Sequence, residues 1–530
     1  MIVGKNNFIN TLIHILIKQN DNYIYKLMCD RNMTFQECEL KLLRDAVDKI
    51  EQKTGKEKIN NPEVKKIIEI VEKFLKDKKR LCYGGTAINN ILPKYDQFYD
   101  KDIELPDYDF FSPTPLEDAK NLADIYFKQG FEEVEAKAGM HPGTYKVYVN
   151  YIPVADITYL VPEIYDNLVE DSIIVDNIYY VPPNYLRMSM YLELSRPKGD
   201  VSRWEKVLKR LTLLNKHFPL RGKNCHLEEV QRLFQYGTTG KMNTKKKLEK
   251  ENNLTSIEEK IFIIVRNSLI SQNCVFFGAF ANRLYLKTLP ALSKERIPNI
   301  PDFDVLSLNP LKTANTLKKK LNEIGIKDIK IVKQPAIGEI IAPHYEVFVG
   351  NETVAFIYEP LACHSFNTIN VAGRKINIAT LDTMLSFYLA FTYIKRNYYK
   401  ANRILCMSEY LFRVQQKNRI TRKGINTRFG INCYGEQETI ATIRANKTKK
   451  YKELRNKKNT KEYEKYFLRY VPYESNSNKK NIPVKKVTKK SPKKKTKAKK
   501  KKTPIKKNKT KKIKRKLKNN LITLITIMNH

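Results

Sequence analysis

Three segments decide how this chain is read: LCYGGTAINN (residues 81–90), ELPDYDFFSP (104–113) and TYKVYVNYIPVADITYL (144–160). The first sets a Gly84-Gly85-Thr86 turn between a short apolar run and a helix-like stretch. The second carries two carboxylates, Asp107 and Asp109, one residue apart. In the third, apolar and polar residues alternate on both sides of Asn150 to Pro153, which predicts an antiparallel hairpin with Asp156 on its second arm. Side chains alternate faces along a strand, so Asp107 and Asp109 converge and Asp156 can join them from a neighbouring strand.

Outward from these segments, Arg80 to Tyr83 and Tyr108 to Ser112 read as strands, and Pro115 to Gln129 as a helix stopped by Gly130. Upstream, apolar residues recur at helical spacing from Phe35 to Lys79 (Leu43, Val47, Ile50; Ile67, Val71, Phe74), split at Asn60-Asn61-Pro62. Downstream, Pro182 to Ser195 and Val201 to Leu214 are expected to be helical. The class is α+β, a small mixed sheet with helices.

The same plan recurs later in the chain. Asn273 to Gly278 echoes the first strand and turn, Pro301 to Asp304 echoes Pro106 to Asp109, and Tyr345 to Ile357 tracks Tyr145 to Ile157 without a gap. The second hairpin turns at Gly350-Asn351, strong turn chemistry that supports the first hairpin too. Leu385 to Leu389 echoes Met188 to Leu192, so the duplication reaches into the helices. The copies differ where chemistry is expected: Gly85, Thr86, Arg187 and Asp156 become Ala279, Phe280, Met384 and Phe356. The second copy reads as catalytically dead.

Three convergent carboxylates raise one another's pKa unless cations compensate. Hard oxygen ligands suit two Mg²⁺ (or Mn²⁺) ions that take substrate phosphates as further ligands, activate a hydroxyl and stabilise a leaving oxygen. A Gly-Gly-Thr turn opening a helix offers N–H groups and a hydroxyl to a triphosphate. The ordered set therefore points to two-metal nucleotidyl transfer, with Asp107, Asp109 and Asp156 as metal ligands and Gly84, Gly85 and Thr86 at the nucleotide. A lone Asp-x-Asp is usually a solvated strand end; the order and the decayed second copy carry the inference. Arg187, Arg203 and Lys206 are candidates for the triphosphate or a nucleic-acid backbone, and Arg203, Lys206 and Arg210 share one helix face. Trp204 is expected in the helical core, and the histidines form neither a triad nor a metal set.

Composition agrees. A formal charge of +42 and a pI near 9.7 call for a polyanionic partner, nucleic acid before an anionic membrane. The run from Lys479 to Lys518 holds many Lys and Arg and no acid, yet the rest of the chain is basic as well. That run cannot bury a core and is expected to be disordered. No stretch has the ~18–20 apolar residues of a membrane span, and Phe8 to Ile17 is too interrupted for a signal sequence. Eight cysteines lie singly, without metal-ligand spacing, and are expected to be reduced thiols. The expected organisation is a disordered leader (1–33), helical lead-in (34–80), catalytic domain (81–180), helical domain (181–270), degenerate copy (271–365), C-terminal helical region (366–475) and Lys-rich tail (476–530).

Through the ordered motif, the duplication and the segment from Leu192 to Leu211, the chain resembles the catalytic subunits of viral poly(A) polymerases from large cytoplasmic DNA viruses. The resemblance spans roughly Glu37 to Tyr473. It implies duplicated nucleotidyltransferase-type domains, ATP as donor, an RNA 3′ end as acceptor, Mg²⁺ or Mn²⁺ as metals, and packaging in virions made in the host cytoplasm. Processivity would then need a second subunit, self-association or the tail. Two alternatives stay open: another template-independent nucleotidyltransferase, such as a uridylyl- or oligoadenylate-forming one, and a non-catalytic RNA-binding processivity protein.

Overall fold

The computed structural model describes residues 33–100, 102–225, 256–286, 302–371, 373–396, 398–418 and 424–472; the leader up to residue 32 and the Lys-rich tail lie outside the described residues. The first copy opens with α1 (Phe35–Ile59) and α2 (Pro62–Lys78), separated where Asn61 caps the N-terminus of α2 and Pro62 takes its first position. The apolar stripe of α2 is buried through Val64, Ile67, Val71 and Phe74, whereas that of α1 remains exposed at Leu43, Val47 and Ile50. Then come β1 (Leu81–Cys82), α3 (Gly84–Ile91), β2 (Tyr108–Ser112), α4 (Pro115–Lys128), β3 (Val134–Ala138), β4 (Thr144–Val149), β5 (Ile152–Tyr159), α5 (Pro162–Glu170), β6 (Ile173–Val175) and β7 (Ile178–Tyr180). Helices α6 (Pro183–Leu194) and α7 (Trp204–His217) follow.

The second copy repeats this order: α8 (Ser256–Ser271), β8 (Val275–Phe277), α9 (Gly278–Leu286), β9 (Phe303–Leu306), α10 (Pro310–Glu323), β10 (Ile329–Gln334), β11 (His344–Val349), β12 (Glu352–Tyr358), β13 (His364–Val371) and β14 (Arg374–Ala379), then α11 (Leu381–Phe391) and α12 (Ala401–Lys417). The chain ends, among the described residues, with β15 (Cys433–Tyr434), α13 (Ile440–Leu454), α14 (Lys461–Phe467) and β16 (Arg469–Tyr470).

Both sheets have eight strands, ordered β16-β3-β4-β5-β2-β1-β7-β6 and β10-β11-β12-β9-β8-β14-β13-β15. From β3 and β10 onward the two orders correspond strand for strand, with the same parallel and antiparallel pairings. Even the irregularity in the hairpin recurs, at Val147/Tyr148 and at Val347/Phe348. The C-terminal stretch finishes each sheet on opposite edges, β16 beside β3 and β15 beside β13. Strands β13 to β15 thus belong to the second sheet, although residues 366–475 were expected to be helical. They alternate weakly and β15 is short, so their pairing is a long-range property that local periodicity does not carry. The first hairpin turns on Asn150 and Tyr151, both with positive φ (48° and 63°), the twist that a tight turn between strands requires.

The reduced-thiol expectation is corrected. Cys225 is disulfide-bonded to Cys406 and Cys363 to Cys433, while Cys82 and Cys274 are free and buried. The partners are 181 and 70 residues apart in sequence, so spacing carried no sign of them; folding brings their Cα atoms to 5.3 and 5.1 Å.

Candidate active site

The site lies on the face of the first sheet opposite the core. Tyr108, Phe110, Ala155 and Ile157 point into the core and are buried, which turns Asp109 and Asp156 to the other face. β2 and β5 run parallel with Asp109 directly opposite Asp156. Asp107 sits one residue ahead of β2, at the rim, and its loop is tied down by Thr86, whose Oγ1 donates to the Asp107 carbonyl at 2.8 Å. The hydroxyl expected at a triphosphate therefore locks the carboxylate loop.

The turn before α3 explains its glycines. Gly84 has φ +76°, and a Cβ there would lie 2.7 Å from Asp109 Oδ2. Only glycine adopts this conformation without strain and lets the turn approach the carboxylate so closely. A Cβ on Gly85 would lie 2.7 Å from the Tyr99 hydroxyl and 2.9 Å from Arg210 Nη2. Tyr99 and Arg210 are themselves hydrogen-bonded. The loop bearing Tyr99 is held by Asn89, whose Oδ1 accepts from the Phe98 and Tyr99 N–H groups at 2.8 Å each.

Burial and the neighbouring charges of Asp107 and Asp156 push the Asp109 carboxyl up to about 7. Asp107 is raised by desolvation and by Asp156. The compensating charge is Lys146, cross-strand partner of Asp156 on β4 and hydrogen-bonded to its carboxylate. Desolvation alone would lower the Lys146 ammonium; its hydrogen bond and attraction to Asp156 raise it instead. Lys146 was missed in the sequence, although one signal was there: it stands ten positions before Asp156 in a hairpin whose turn fixes the register.

Three oxygen donors on one site, with one carboxyl held far above its ordinary range, have the chemistry of a divalent-cation site. Among the described residues, however, no three His, Cys, Asp or Glu side chains are drawn together tightly enough to hold an ion. The Asp156 carboxylate is instead engaged by the Lys146 ammonium.

The basic candidates separate. Arg187 is wholly buried; its guanidinium donates to Asn215 Oδ1 at 2.7 Å and also to Asn184 and to the Phe218 carbonyl. It is not brought to the site. Arg203, exposed and 3.2 Å from Glu193, contributes positive potential at Asp109, and Lys206 is exposed farther along α7. Arg210, from the same face, is the cation that reaches the turn. Trp204 is half-buried, donates to the Glu193 carbonyl at 3.0 Å and packs near Phe429, as expected of a core residue. His141 lies on an exposed loop.

Residues 69–200, which contain every one of these carboxylates and glycines, match the family model described as poly(A) polymerase catalytic subunit. This chain resembles viral poly(A) polymerase catalytic subunits. A protein of that name from African swine fever virus (isolate Tick/Malawi) is 33% identical over 180 residues, 33% of this chain and 38% of the relative. One from Acanthamoeba polyphaga mimivirus is 32% identical over 163 residues, 30% and 27% of the two chains. The chain thus spans well under half the length of these curated relatives. The Megavirus polyadenylate synthase crystal structure superposes with a TM-score of 0.66 at 20% identity, over 84% of this chain and 89% of that one. The fold is the duplicated nucleotidyltransferase-type α+β fold.

Proposed function

We propose that the chain is a template-independent poly(A) polymerase that transfers AMP from ATP to the 3′-hydroxyl of an RNA. The observation that carries this reading is the trio of Asp107, Asp109 and Asp156 beside the positive-φ turn, complete in the first copy and interrupted by Phe356 in the second. The similarity of residues 69–200 to poly(A) polymerase catalytic subunits supports ATP as donor and RNA as acceptor in this reading.

In this reading Asp107, Asp109 and Asp156 hold two divalent ions, Mg²⁺ or Mn²⁺. Bound there, such ions supply Lewis acidity at the attacking and leaving oxygens. The N-terminus of α3 and the Arg210 guanidinium take the triphosphate, Arg203 adds counter-charge, and the glycines keep side chains out of its way. Asp156, on β5, receives the proton of the 3′-hydroxyl. Lys146 orients that carboxylate and must release it when ions bind. The O3′ atom then forms a bond to the α-phosphorus as the bond to pyrophosphate breaks. Retention of RNA between additions falls to a partner subunit, a second copy or the Lys-rich tail. Packaging in virions is part of the same proposal, and immunoblotting of purified particles tests it.

The deciding experiment is extension of labelled RNA with each of the four NTPs separately, with Mg²⁺ or Mn²⁺. Ladders with ATP alone are expected. Preference for UTP would move the chain to a uridylyl-transferring role, and RNA binding without any extension would leave a processivity factor.

A further inference from the structure

The catalytic carboxylates stand at one end of a single cross-strand row. Reading outward across four strand pairings, Asp109 is opposite Asp156, Asp156 opposite Lys146, Lys146 opposite Lys137, and Lys137 opposite Arg469. All five residues therefore point to the open face of the sheet. Lys137 and Arg469 are exposed, at 41% and 81% of their side-chain surface. Like charges directly opposite one another destabilise a sheet, yet three cations stand side by side here. Lys146 is engaged by Asp156, but the outer two are relieved only in part: Glu135 lies 3.6 Å from Lys137 and 3.1 Å from Arg469, and Lys137 Nζ sits 3.9 Å above the Tyr148 ring. Exposed pairs of this kind hold a cation weakly, by ~1 kcal/mol or less.

The second copy serves as a control within the same chain. Its row, read the same way, is Asp304, Phe356, Glu346 and Val332. The cations are gone together with the third carboxylate, and the row is covered: Phe356 is 1% and Glu346 4% exposed, with the Tyr398 ring 5.2 Å from that of Phe356. Among the described residues β10 forms the edge of that sheet, with no strand in the place that β16 takes in the first. Folding alone does not call for the cations.

We infer that the row Lys146, Lys137 and Arg469 is the track on which the sugar-phosphate backbone of a single-stranded acceptor enters the site from the β16 edge, opposite the flank where Arg210 and the Gly84-Gly85 turn take the nucleotide. This deepens the proposed function and rests on it. Strands lie ~4.8 Å apart, so the track from Asp156 to Arg469 is roughly 14 Å long and engages an acceptor of several nucleotides but not a dinucleotide. The occupant is a polyanion by charge complementarity. The chain's own Lys-rich run carries the wrong sign.

The test uses the full chain and two kinds of variant. K137V copies the residue of the second copy, Val332, and so keeps a side chain this fold tolerates; K137E/R469E reverses the outer track. Affinity for a labelled 20-nucleotide RNA is measured by anisotropy across a salt series. A slope of about −0.7 per phosphate for single strands means about fivefold lost per side chain near 0.1 M salt, and a slope shallower by ~1.4 for the double variant. AMP addition to a dinucleotide should keep its kcat and its KM for ATP. In a second measurement, RNA should protect Lys137 from acetylation by a water-soluble ester, read by mass spectrometry, whatever the tail contributes. Unchanged affinity and slope in folded variants, no protection of Lys137, or equal loss on dinucleotide and long acceptors would overturn the track. If the unaltered chain adds no AMP to any acceptor, the proposed activity fails, while the binding and protection results still decide the track.

Discussion

The two copies have nearly the same sheet and differ on its open face. Both keep a positive-φ glycine pressed against an aspartate, Gly84 on Asp109 and Gly278 on Asp304. Both keep a polar cluster behind the first strand, built differently. In the first copy Arg80 pairs with Asp118, to which Ser112 also donates. In the second, Ser307 and Thr313 hydrogen-bond beside the buried Cys274. What the second copy lost is the open face: Phe356 fills the third-carboxylate position, and Phe280 packs against Phe276 and Phe303 where Thr86 held its loop. The turn and the first two aspartates are thus compatible with a structural part alone, whereas Asp156, Lys146 and an uncovered face separate a site from its filled-in relative.

The comparison breaks most visibly at Asp156. Asp156→Phe, which installs the residue of the second copy, is expected to reduce AMP incorporation by about 10³-fold or more, roughly 4 kcal/mol in the barrier; Asp304→Ala in the second copy should leave the rate unchanged. Equal losses from both would show that the second copy also works. Asp109→Asn sharpens the point: it should abolish incorporation yet raise the Tm measured without metal, because it removes a charge crowded by two others. Added Mg²⁺ should then raise the Tm of the unaltered chain only.

Lys146→Glu, again copying the second copy, should cost about 10–100-fold in kcat by repelling Asp156 and should lower the Tm measured without metal, because a further carboxylate replaces the compensating cation. For Arg187→Met, which mimics Met384, the loss should fall on stability, ~2–4 kcal/mol, because it strips a buried network of its donors. The KM for ATP should not move; a rise would restore Arg187 to the nucleotide.

The smallest effect belongs to the second copy. Burial, and then the charge of Arg196, hold the His364 imidazole down at about 3. Because the folded value lies below the ordinary 6.5, the unfolded chain binds the extra proton between those limits, and stability falls as pH drops below ~6.5. Denaturation at pH 7.5 and pH 5 should differ by ~2 kcal/mol through this group, a difference that His364→Phe should remove.

Much of the first copy could be read from residues alone. Asn61-Pro62, Gly130 and the alternation over 144–160 act locally, through capping, φ preference and pleat, so helix limits and the hairpin followed. The duplication was legible too, and Phe356 stands at the position matching Asp156, where a phenyl ring offers no ligand to a metal. Arg187 misled for a physical reason: a basic residue lost from a decayed copy looks like a ligand, and only its packing against Asn184, Asn215 and Phe218 reveals a core role.

The sequence by itself determined the elements around the first hairpin, the duplication and the order of the three candidate carboxylates, since these rest on local chemistry and on comparing one stretch with another. Tertiary structure alone decided which charges meet. Lys146 and Lys137 join Asp156 through the pairing of β5, β4 and β3, and Arg469 extends that row only because β16 returns from a distant part of the chain to pair with β3. The cysteine pairs close across 181 and 70 residues by the same long-range packing. Register between distant strands is set by the burial of whole faces, and no short window of residues contains that information.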